Sequence, residues 1–318
     1  MIRLPPRRSS QRMHRLLPHS MRKLLAHMVS ALALSSVFAA YLACAPTWAS
    51  PVSATDARGK RITLPAPPRR IVSLAPSITE ILFALNLDGR IVADTTYCTY
   101  PPQARSLPHI GDYRTSLEKV VAQRPDLVVA SLSANHQAVE GLERLGVKVF
   151  AVDPKTVAGT MDAILQIGKI TGAEAQARRV VQTMEARISA VKRRVARAKR
   201  HPKVLIVLQA QPLWVAGSSN FMDDVVTLAG GINVARDAGP GFKTYSMERV
   251  VVDRPDVILA SKEDAARLLA TPSLASVPAV RRHALYTIDP DLLARPGPRL
   301  VLGVEAVARL LHPGAFRR

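Results

Sequence analysis

A sixteen-residue segment that occurs twice, at residues 116–131 and 246–261, constrains the fold more than any other feature. Nine of its sixteen positions are identical. Each copy places a glutamate in the first turn of a short predicted helix, where a negative side chain suits the positive helix end. Arg-Pro-Asp then ends the helix, and an aliphatic run predicts a buried strand. Because a solenoid needs at least three repeats, two copies predict a protein of two similar α/β lobes.

Residues 1–49 have the organisation of an export signal. Basic residues after Met21 precede an apolar run at 28–43, and Thr47-Trp48-Ala49 offers a cleavage site before Ser50. We therefore predict a start at Met21, cleavage, and an exported protein. A membrane anchor is the alternative, but the run is shorter than the ~20 residues that span a bilayer. A lipid anchor on Cys44 is the other alternative.

The net charge of +20 includes seven basic residues and no acid within residues 1–49, so the remainder carries +13. Basic side chains on one face of a predicted helix could indicate nucleic-acid binding. A solvated helix face explains them as well, and an exported protein meets no nucleic acid. If cleavage removes Cys44, a single cysteine remains and no internal disulfide can form. We expect a monomer in which Cys98 is a small packing residue.

Alternation of predicted strands and helices indicates two Rossmann-like lobes with parallel-rich central sheets. No proline interrupts residues 156–200, and apolar residues recur there at helical spacing. A helix of about 45 residues would span ~65 Å, too long for one lobe, so it predicts a backbone that joins two. The predicted segments are a signal at 1–49, an extended lead-in at 50–68, a lobe at 69–155, the backbone helix at 156–200 and a second lobe at 201–318.

Sequence signatures of catalysis are missing. The chain has no Gly-x-Ser-x-Gly elbow, no phosphate-binding loop and no His-Glu-x-x-His motif. Its 8 histidines are scattered, which disfavours a dedicated metal cage. We predict a binding protein without cofactor or catalytic residues, and keep an exported enzyme as the less favoured class.

Aromatic residues are scarce, and over half of those after residue 49 fall in predicted loops. Aromatic side chains usually fill the core, where each buries a large area. In open α/β sheets, the loops after the strands face the ligand crevice. The alternative is that each ring packs over its own lobe. Three rings from each lobe would suit a cleft for a large, flat ligand: Tyr97, Tyr100, Tyr113, Trp214, Phe242 and Tyr245.

Asp291 and Arg295 lie four residues apart before the last predicted helix. They could form a surface ion pair with each other, worth under about 1 kcal/mol. They could instead lie at the cleft rim and face ligand amides or carboxylates.

The sequence resembles the periplasmic substrate-binding proteins of ABC importers, and within them the cobalamin receptors. The resemblance covers roughly residues 60–312 and is carried by the twin segments together with residues 70–80 (RIVSLAPSITE), 97–102 (YCTYPP), 110–113 (IGDY) and 295–299 (RPGPR). It implies two lobes joined by one long helix, with modest closure and delivery of ligand to a transmembrane permease dimer.

The resemblance also implies site residues. The positions that match the lining of a corrinoid cleft are Tyr97, Tyr100, Tyr113, Trp214, Phe242, Asp291 and Arg295. Cobalamin is then the transported ligand, with haem or a ferric siderophore as alternatives. For haem, Tyr113 is the candidate axial ligand, because related haem receptors use a tyrosine near this point.

In this family one glutamate on each lobe pairs with permease arginines, and the matching residues are Glu118 and Glu248. A helix-capping role competes for Glu118, because Thr115 and Glu118 have the spacing of a capping box. Tyr245 stands in the place of Thr115 in the second copy, where that box is therefore broken. Capping alone would not explain both glutamates.

Overall fold

The computed structural model describes residues 50–112 and 114–317, so the predicted signal segment and Tyr113 lie outside the described residues. The predicted lead-in is an antiparallel hairpin of β1 (Val52–Thr55) and β2 (Arg61–Leu64). At its turn, the Asp56 carboxylate accepts hydrogen bonds from the backbone N–H groups of Arg58 and Lys60. β2 buries every second side chain, as a strand with one face on the core does.

The first lobe is built on a parallel sheet with the spatial order β4-β3-β5-β6. Its strands are short and apolar on both faces, as expected of a sheet covered by helices. The strands are β3 (Ile71–Ser73), β4 (Ile91–Ala93), β5 (Leu127–Ser131) and β6 (Val149–Val152). The connecting helices are α1 (Pro76–Ala84), α2 (Leu117–Ala122) and α3 (Leu132–Arg144).

The predicted single helix at 156–200 is wrong in one respect, because two helices occupy this stretch. They are α4 (Val157–Thr171) and α5 (Glu174–Val195). Gly172 ends α4 with a φ of +71°, a left-handed conformation that glycine adopts at little cost. The helices pack so closely that a Cβ at Gly168 would lie 2.4 Å from the Ala177 Cβ. The predicted apolar stripe of α5 is buried, and its 22 residues span about 33 Å.

The second lobe carries a mixed sheet with the order β10-β8-β7-β11-β12, and β9 also pairs with β7. β9, β11 and β12 run parallel to β7, whereas β8 is antiparallel to both β7 and β10. The strands are β7 (Lys203–Ala210), β8 (Leu213–Ala216), β9 (Ile232–Asn233), β10 (Phe242–Thr244), β11 (Val257–Leu259) and β12 (Leu285–Tyr286). The helices are α6 (Phe221–Leu228), α7 (Met247–Asp253), α8 (Lys262–Leu269), α9 (Pro278–Arg281), α10 (Pro290–Ala294) and α11 (Leu300–Leu311).

One apolar core runs from the first sheet to the second through α4, α5 and α11. It contains Ile164, Met184 and Val304 from these helices together with Ile71 and Val204 from the two sheets. Polar bonds reinforce the same helices. The Arg187 guanidinium of α5 makes a bidentate pair with the Glu305 carboxylate of α11. The α4–α5 pair therefore supplies the joint between the lobes that the long helix was predicted to supply.

The twin segments form the same unit in both lobes: α2 and β5 in the first, α7 and β11 in the second. Arg124 and Arg254 leave their helices with φ values of +47° and +49°. The aspartate of Arg-Pro-Asp then accepts hydrogen bonds at the start of the neighbouring strand. Asp126 accepts from the Arg69 and Arg70 backbone N–H groups, and Asp256 accepts from that of Lys203. The motif both ends a helix and joins two strands.

We expect Asp126→Ala to lower the free energy of unfolding by about 1–2 kcal/mol, because two backbone N–H groups lose a charged acceptor. Urea denaturation would measure the loss. Asp88→Ala is the matched control, since this exposed carboxylate accepts no hydrogen bond within the described residues. Equal stability of both variants would contradict the proposed role of the motif.

Candidate functional site

Four of the predicted cleft aromatics stand out by their exposure. Tyr97, Tyr100, Trp214 and Phe242 are 40–43% exposed, although each ring is large and apolar enough to favour burial. The alternative that they pack over their own lobes therefore leaves a large part of every ring uncovered. Exposed apolar groups that cluster on a surface commonly mark a binding site.

Trp214 and Phe242 are presented by the antiparallel strands β8 and β10. Trp214 pairs with Thr244, and Phe242 pairs with Ala216. Since side chains alternate along a strand, the two rings belong to the same face of this strand pair, in diagonal positions. Trp214 is also opposite Gln209, close to the carboxyl end of the parallel strand β7. The second lobe thus offers a two-ring surface, and Trp214 lies at the end of β7 where α/β sheets bind ligands.

Tyr97 and Tyr100 lie on the loop that follows β4 at the carboxyl edge of the first sheet. Cys98 between them is buried, and its sulfur contacts the hydroxyls of Thr79 and Thr95 at 3.1 and 3.2 Å. Burial raises the pKa of the Cys98 thiol, which makes it a weak nucleophile. The prediction that Cys98 is a packing residue is confirmed, and its packing fixes the loop that carries the tyrosines.

Tyr245, another of the predicted cleft aromatics, has a structural role. Its hydroxyl donates a hydrogen bond to the Asp253 carboxylate at the other end of α7. Burial and this carboxylate raise the pKa of Tyr245 to about 12. Tyr245 therefore supports the second twin segment.

A buried acid lies beneath the tyrosine loop. The Asp94 Oδ1 atom is 2.8 Å from the His109 Nδ1 atom, while its Oδ2 atom is buried without a hydrogen-bond partner in the described part of the chain. Burial raises the pKa of Asp94 to about 6, and His109 opposes that rise. Because His109 leads into residues 110–113, this contact joins two of the predicted ligand loops.

The raised pKa of Asp94 predicts a pH-dependent stability. The folded state holds this proton more tightly than the unfolded chain, where the ordinary value is 3.8. The stabilising contribution is complete below that value and is lost as the pH rises through about 6. We expect a loss of roughly 1–3 kcal/mol between pH 4 and pH 7 that is absent in Asp94→Asn.

Urea denaturation across this pH range would test the expectation, with the exposed Asp162→Asn as control. If Asp94→Asn kept the full pH dependence of the unmodified protein, another group would be responsible for it.

Asp291 and Arg295 form the ion pair considered from the sequence, at 2.9 Å, but the pair is part of a larger cluster. The Glu80 carboxylate accepts hydrogen bonds from the Arg299 Nε and Nη2 atoms at 2.9 and 2.7 Å, and Arg295 Nη1 is 3.5 Å away. Arg295 also donates to the Tyr97 carbonyl oxygen at 3.3 Å. This cluster brings two predicted site residues of the second lobe to the tyrosine loop of the first.

Glu80 and Arg299 were missed as members of the site. Ser77 and Glu80 have the spacing of a capping box, but Ala75 is the N-cap of α1 and no side chain caps it. The Glu80 carboxylate is instead buried among arginines. Arg299 follows Arg295 at helical spacing in a proline-rich segment, and this was the available signal.

Glu118 and Glu248 occupy equivalent, fully exposed positions in the first turns of α2 and α7. The N-caps are Ser116 and Ser246, whose hydroxyls accept from the backbone N–H groups three residues later. The predicted box between Thr115 and Glu118 is therefore wrong by one residue. The cap is intact in both copies and does not require either glutamate as its third residue.

Backbone N–H groups at each helix start and the N-cap hydroxyls lower the pKa of both Glu118 and Glu248. Each lobe therefore presents one exposed carboxylate that stays ionised well below neutral pH. Among the described residues, no group of three or more histidine, cysteine, aspartate and glutamate side chains could hold a metal ion. No helix there is long and apolar enough to cross a membrane.

Comparison with known proteins identifies the family. The family model described as periplasmic binding protein matches residues 71–292, which is more than half of the sequence. The chain belongs to the periplasmic binding protein family. Its substrate-binding members have two α/β lobes, and the fold class predicted from the sequence is confirmed.

Relatives with different ligands resemble the chain equally well. It is 31% identical to an uncharacterised ABC transporter substrate-binding lipoprotein of Bacillus subtilis, over 84% of this chain and 87% of that protein. The periplasmic vitamin B12-binding protein of Vibrio cholerae has a TM-score of 0.70 and 26% identity, covering 79% of this chain and 99% of the other. The periplasmic haem-binding protein of Roseiflexus sp. RS-1 has a TM-score of 0.71 and 30% identity, covering 78% and 99%.

Proposed function

We propose that the protein captures a corrinoid of the cobalamin class between its lobes and delivers it to the permease of an ABC importer. The observation that carries the ligand assignment is the charge balance of the cluster on the tyrosine loop. Arg295 and Arg299 face Glu80 and Asp291, so two cations meet two carboxylates. The arginines that reach this loop from the second lobe are therefore already neutralised.

A corrin ring fits this arrangement better than haem does. The side chains around a corrin ring mostly end in neutral amides, which need hydrogen-bond partners but no counter-ion. Haem carries two propionates, and an unpaired cation would stabilise them. Either macrocycle could stack its flat face on the four exposed rings, which belong to Tyr97, Tyr100, Trp214 and Phe242. The charge balance of the arginine and carboxylate cluster is therefore the feature that distinguishes a corrin from haem.

Haem remains the alternative ligand, since haem-binding proteins are among the similar structures. Tyr113 would then serve as the axial ligand, and Arg114 beside it could face a propionate. Tyr113→Phe should abolish an iron–phenolate absorption band if haem binds in this way. A ferric siderophore, another metal chelate of comparable size, is the third ligand to test.

Isothermal titration with cyanocobalamin, haem and a ferric siderophore would decide the ligand class. We expect cyanocobalamin to bind tightest, and Trp214→Ala to weaken that binding 10- to 100-fold, or about 1.4–2.7 kcal/mol, because the ring loses a stacking surface. Phe316→Ala is the matched control. It removes an aromatic ring that contacts Arg194 and Arg309 and none of the predicted ligand-binding residues. Tighter binding of haem would replace the corrinoid assignment. If none of the three ligands bound, the proposal that the protein binds a ligand of this kind between its lobes would be wrong.

Glu118 and Glu248 are proposed as the docking points for the permease. Their equivalent places on two lobes provide one carboxylate on each side, as a permease with two similar halves would require. Their lowered pKa values keep both charges available to permease arginines. Residues 1–49 are proposed as a cleaved export signal that delivers the protein to the periplasm, with a lipid anchor on Cys44 as the alternative.

We expect the double variant Glu118→Ala and Glu248→Ala to keep its ligand affinity and to lose most of the uptake of radiolabelled cobalamin by cells. Loss of two charged contacts, one on each lobe, would weaken docking without a change in the cleft. The double variant Glu140→Ala and Glu185→Ala removes two other exposed carboxylates and serves as control. Normal uptake by the first double variant would show that neither glutamate is needed for docking to the permease.

A further inference from the structure

Glu80 is buried where the two lobes meet. Its side chain is 2% exposed, on α1 of the first lobe. Both of its guanidinium partners belong to the second lobe, on either side of the sequence Pro296-Gly297-Pro298. A buried carboxylate is costly unless its charge is matched and its oxygens are hydrogen-bonded, and Arg299 matches it with two parallel hydrogen bonds.

The backbone between Arg295 and Arg299 has little conformational freedom. Two prolines restrict its dihedral angles, and the Gly297 N–H donates to the Arg295 carbonyl oxygen at 2.8 Å. A Cβ built on Gly297 would lie 3.5 Å from the Ser77 carbonyl oxygen and 3.6 Å from the Glu80 Oε2 atom. The segment therefore packs directly on the first turn of α1 and brings its two arginines to one carboxylate.

The same arginines also hold the tyrosine loop. The Arg299 guanidinium carbon is 3.8 Å from the centre of the Tyr100 ring, a cation–π contact. Arg295 donates to the Tyr97 carbonyl oxygen and lies 3.5 Å from the Thr99 hydroxyl. A displacement of either arginine would thus move both the lobe junction and the aromatic wall of the cleft.

We propose that Glu80 is a positioning residue that locks the two lobes at one separation before any ligand arrives, and thereby sets the width of the cleft. Through Arg299 it also fixes the Tyr100 ring. Without the Glu80 charge, the two arginines would be left against the single carboxylate of Asp291. They would then gain hydration by moving apart from α1, so the lobes would separate. The lock itself rests on the contacts at the junction, whereas its effect on affinity rests on the proposed function.

Other contacts at the joint make the proposal specific. The Asp224 carboxylate of α6 accepts a hydrogen bond from the Val157 N–H at the start of α4, and Gln176 of α5 donates to the Ala84 carbonyl oxygen of α1. These contacts tie each lobe to the helix pair. The Glu80 cluster differs from them, because it joins the lobes directly and reaches the tyrosine loop.

The test is the distance between the lobes in the protein without ligand. Spin labels would be attached at Gln137→Cys on α3 and Ala266→Cys on α8, both exposed, with the buried Cys98 left in place because it fixes the tyrosine loop. Double electron–electron resonance would then give the distance distribution for the parent protein, for Glu80→Gln and for Glu305→Gln. The last is a matched control, since it removes a carboxylate that pairs with Arg187 of α5 and not with Arg295 or Arg299.

We expect a narrow distribution for the parent and for Glu305→Gln, and a distribution for Glu80→Gln that is broader or shifted by several ångströms. Arg299→Lys keeps the charge but loses the parallel pair of hydrogen bonds, and should fall between them. If Glu80→Gln does not fold, Arg299→Lys alone must broaden the distribution. A distribution for the folded variants that matches the parent would overturn the proposal.

Affinity for cyanocobalamin provides a separate readout. We expect Glu80→Gln to weaken it at least 10-fold through displacement of Tyr100 and Arg295. Near-ultraviolet circular dichroism would report the release of tyrosine rings from their fixed environment. Failure of the parent to bind cyanocobalamin would reject the proposed ligand, yet leave the distance measurement as a valid test of the lock.

Discussion

The close antiparallel packing of α4 on α5 is the constraint on which the rest of the structure depends. Gly172 reverses the chain in a left-handed conformation, and Gly168 lets the Ala177 methyl group approach. The helix pair then carries one continuous apolar core from the first sheet to the second. A core that crosses the joint resists changes in its packing, because protein interiors are close-packed. The two lobes therefore share one hydrophobic core at their joint, and a flexible hinge is not needed to connect them.

The two-lobed α/β fold could be predicted from the sequence because its signals are local and repeated. The twin segments predicted a helix end and a buried strand twice, and both are present at β5 and β11. The reversal at Gly172 was harder to predict. Glycine is tolerated within helices, and only the packing partner Ala177 shows that the chain turns back. The hairpin of β1 and β2 was missed because each strand has only four residues, which leaves little periodicity to detect.

The residues of the candidate site could likewise be predicted only in part. Aromatics outside the core could be recognised from their neighbours in the sequence, and Tyr97, Tyr100, Trp214 and Phe242 are indeed exposed. Trp214 and Phe242, however, lie on strands β8 and β10 and not in the predicted loops. The partner of Arg295 could not be recognised. Glu80 is 215 residues away in the chain, and its spacing from Ser77 is that of a capping box, which has no relation to Arg295. Long-range charge pairs leave no periodic signal, so the burial of a carboxylate becomes visible only once the lobes are assembled.

Charge is placed differently at the lobe junction and at the first turns of α2 and α7. At the lobe junction, Glu80 and Asp291 neutralise two arginines in a largely buried setting, where an unmatched charge would be unfavourable. Arginine suits this position better than lysine, since it can bond a carboxylate with two hydrogen bonds while its flat face contacts Tyr100. At Glu118 and Glu248, each charge is instead held in water at a helix start, where only a serine hydroxyl and backbone N–H groups contact it. A carboxylate in that setting loses little hydration until a partner arrives, and it contributes to the rate and selectivity of an encounter more than to the stability of the fold. Under the proposed function, the junction charges would set the shape of the cleft, and the exposed charges would be recognised by the permease.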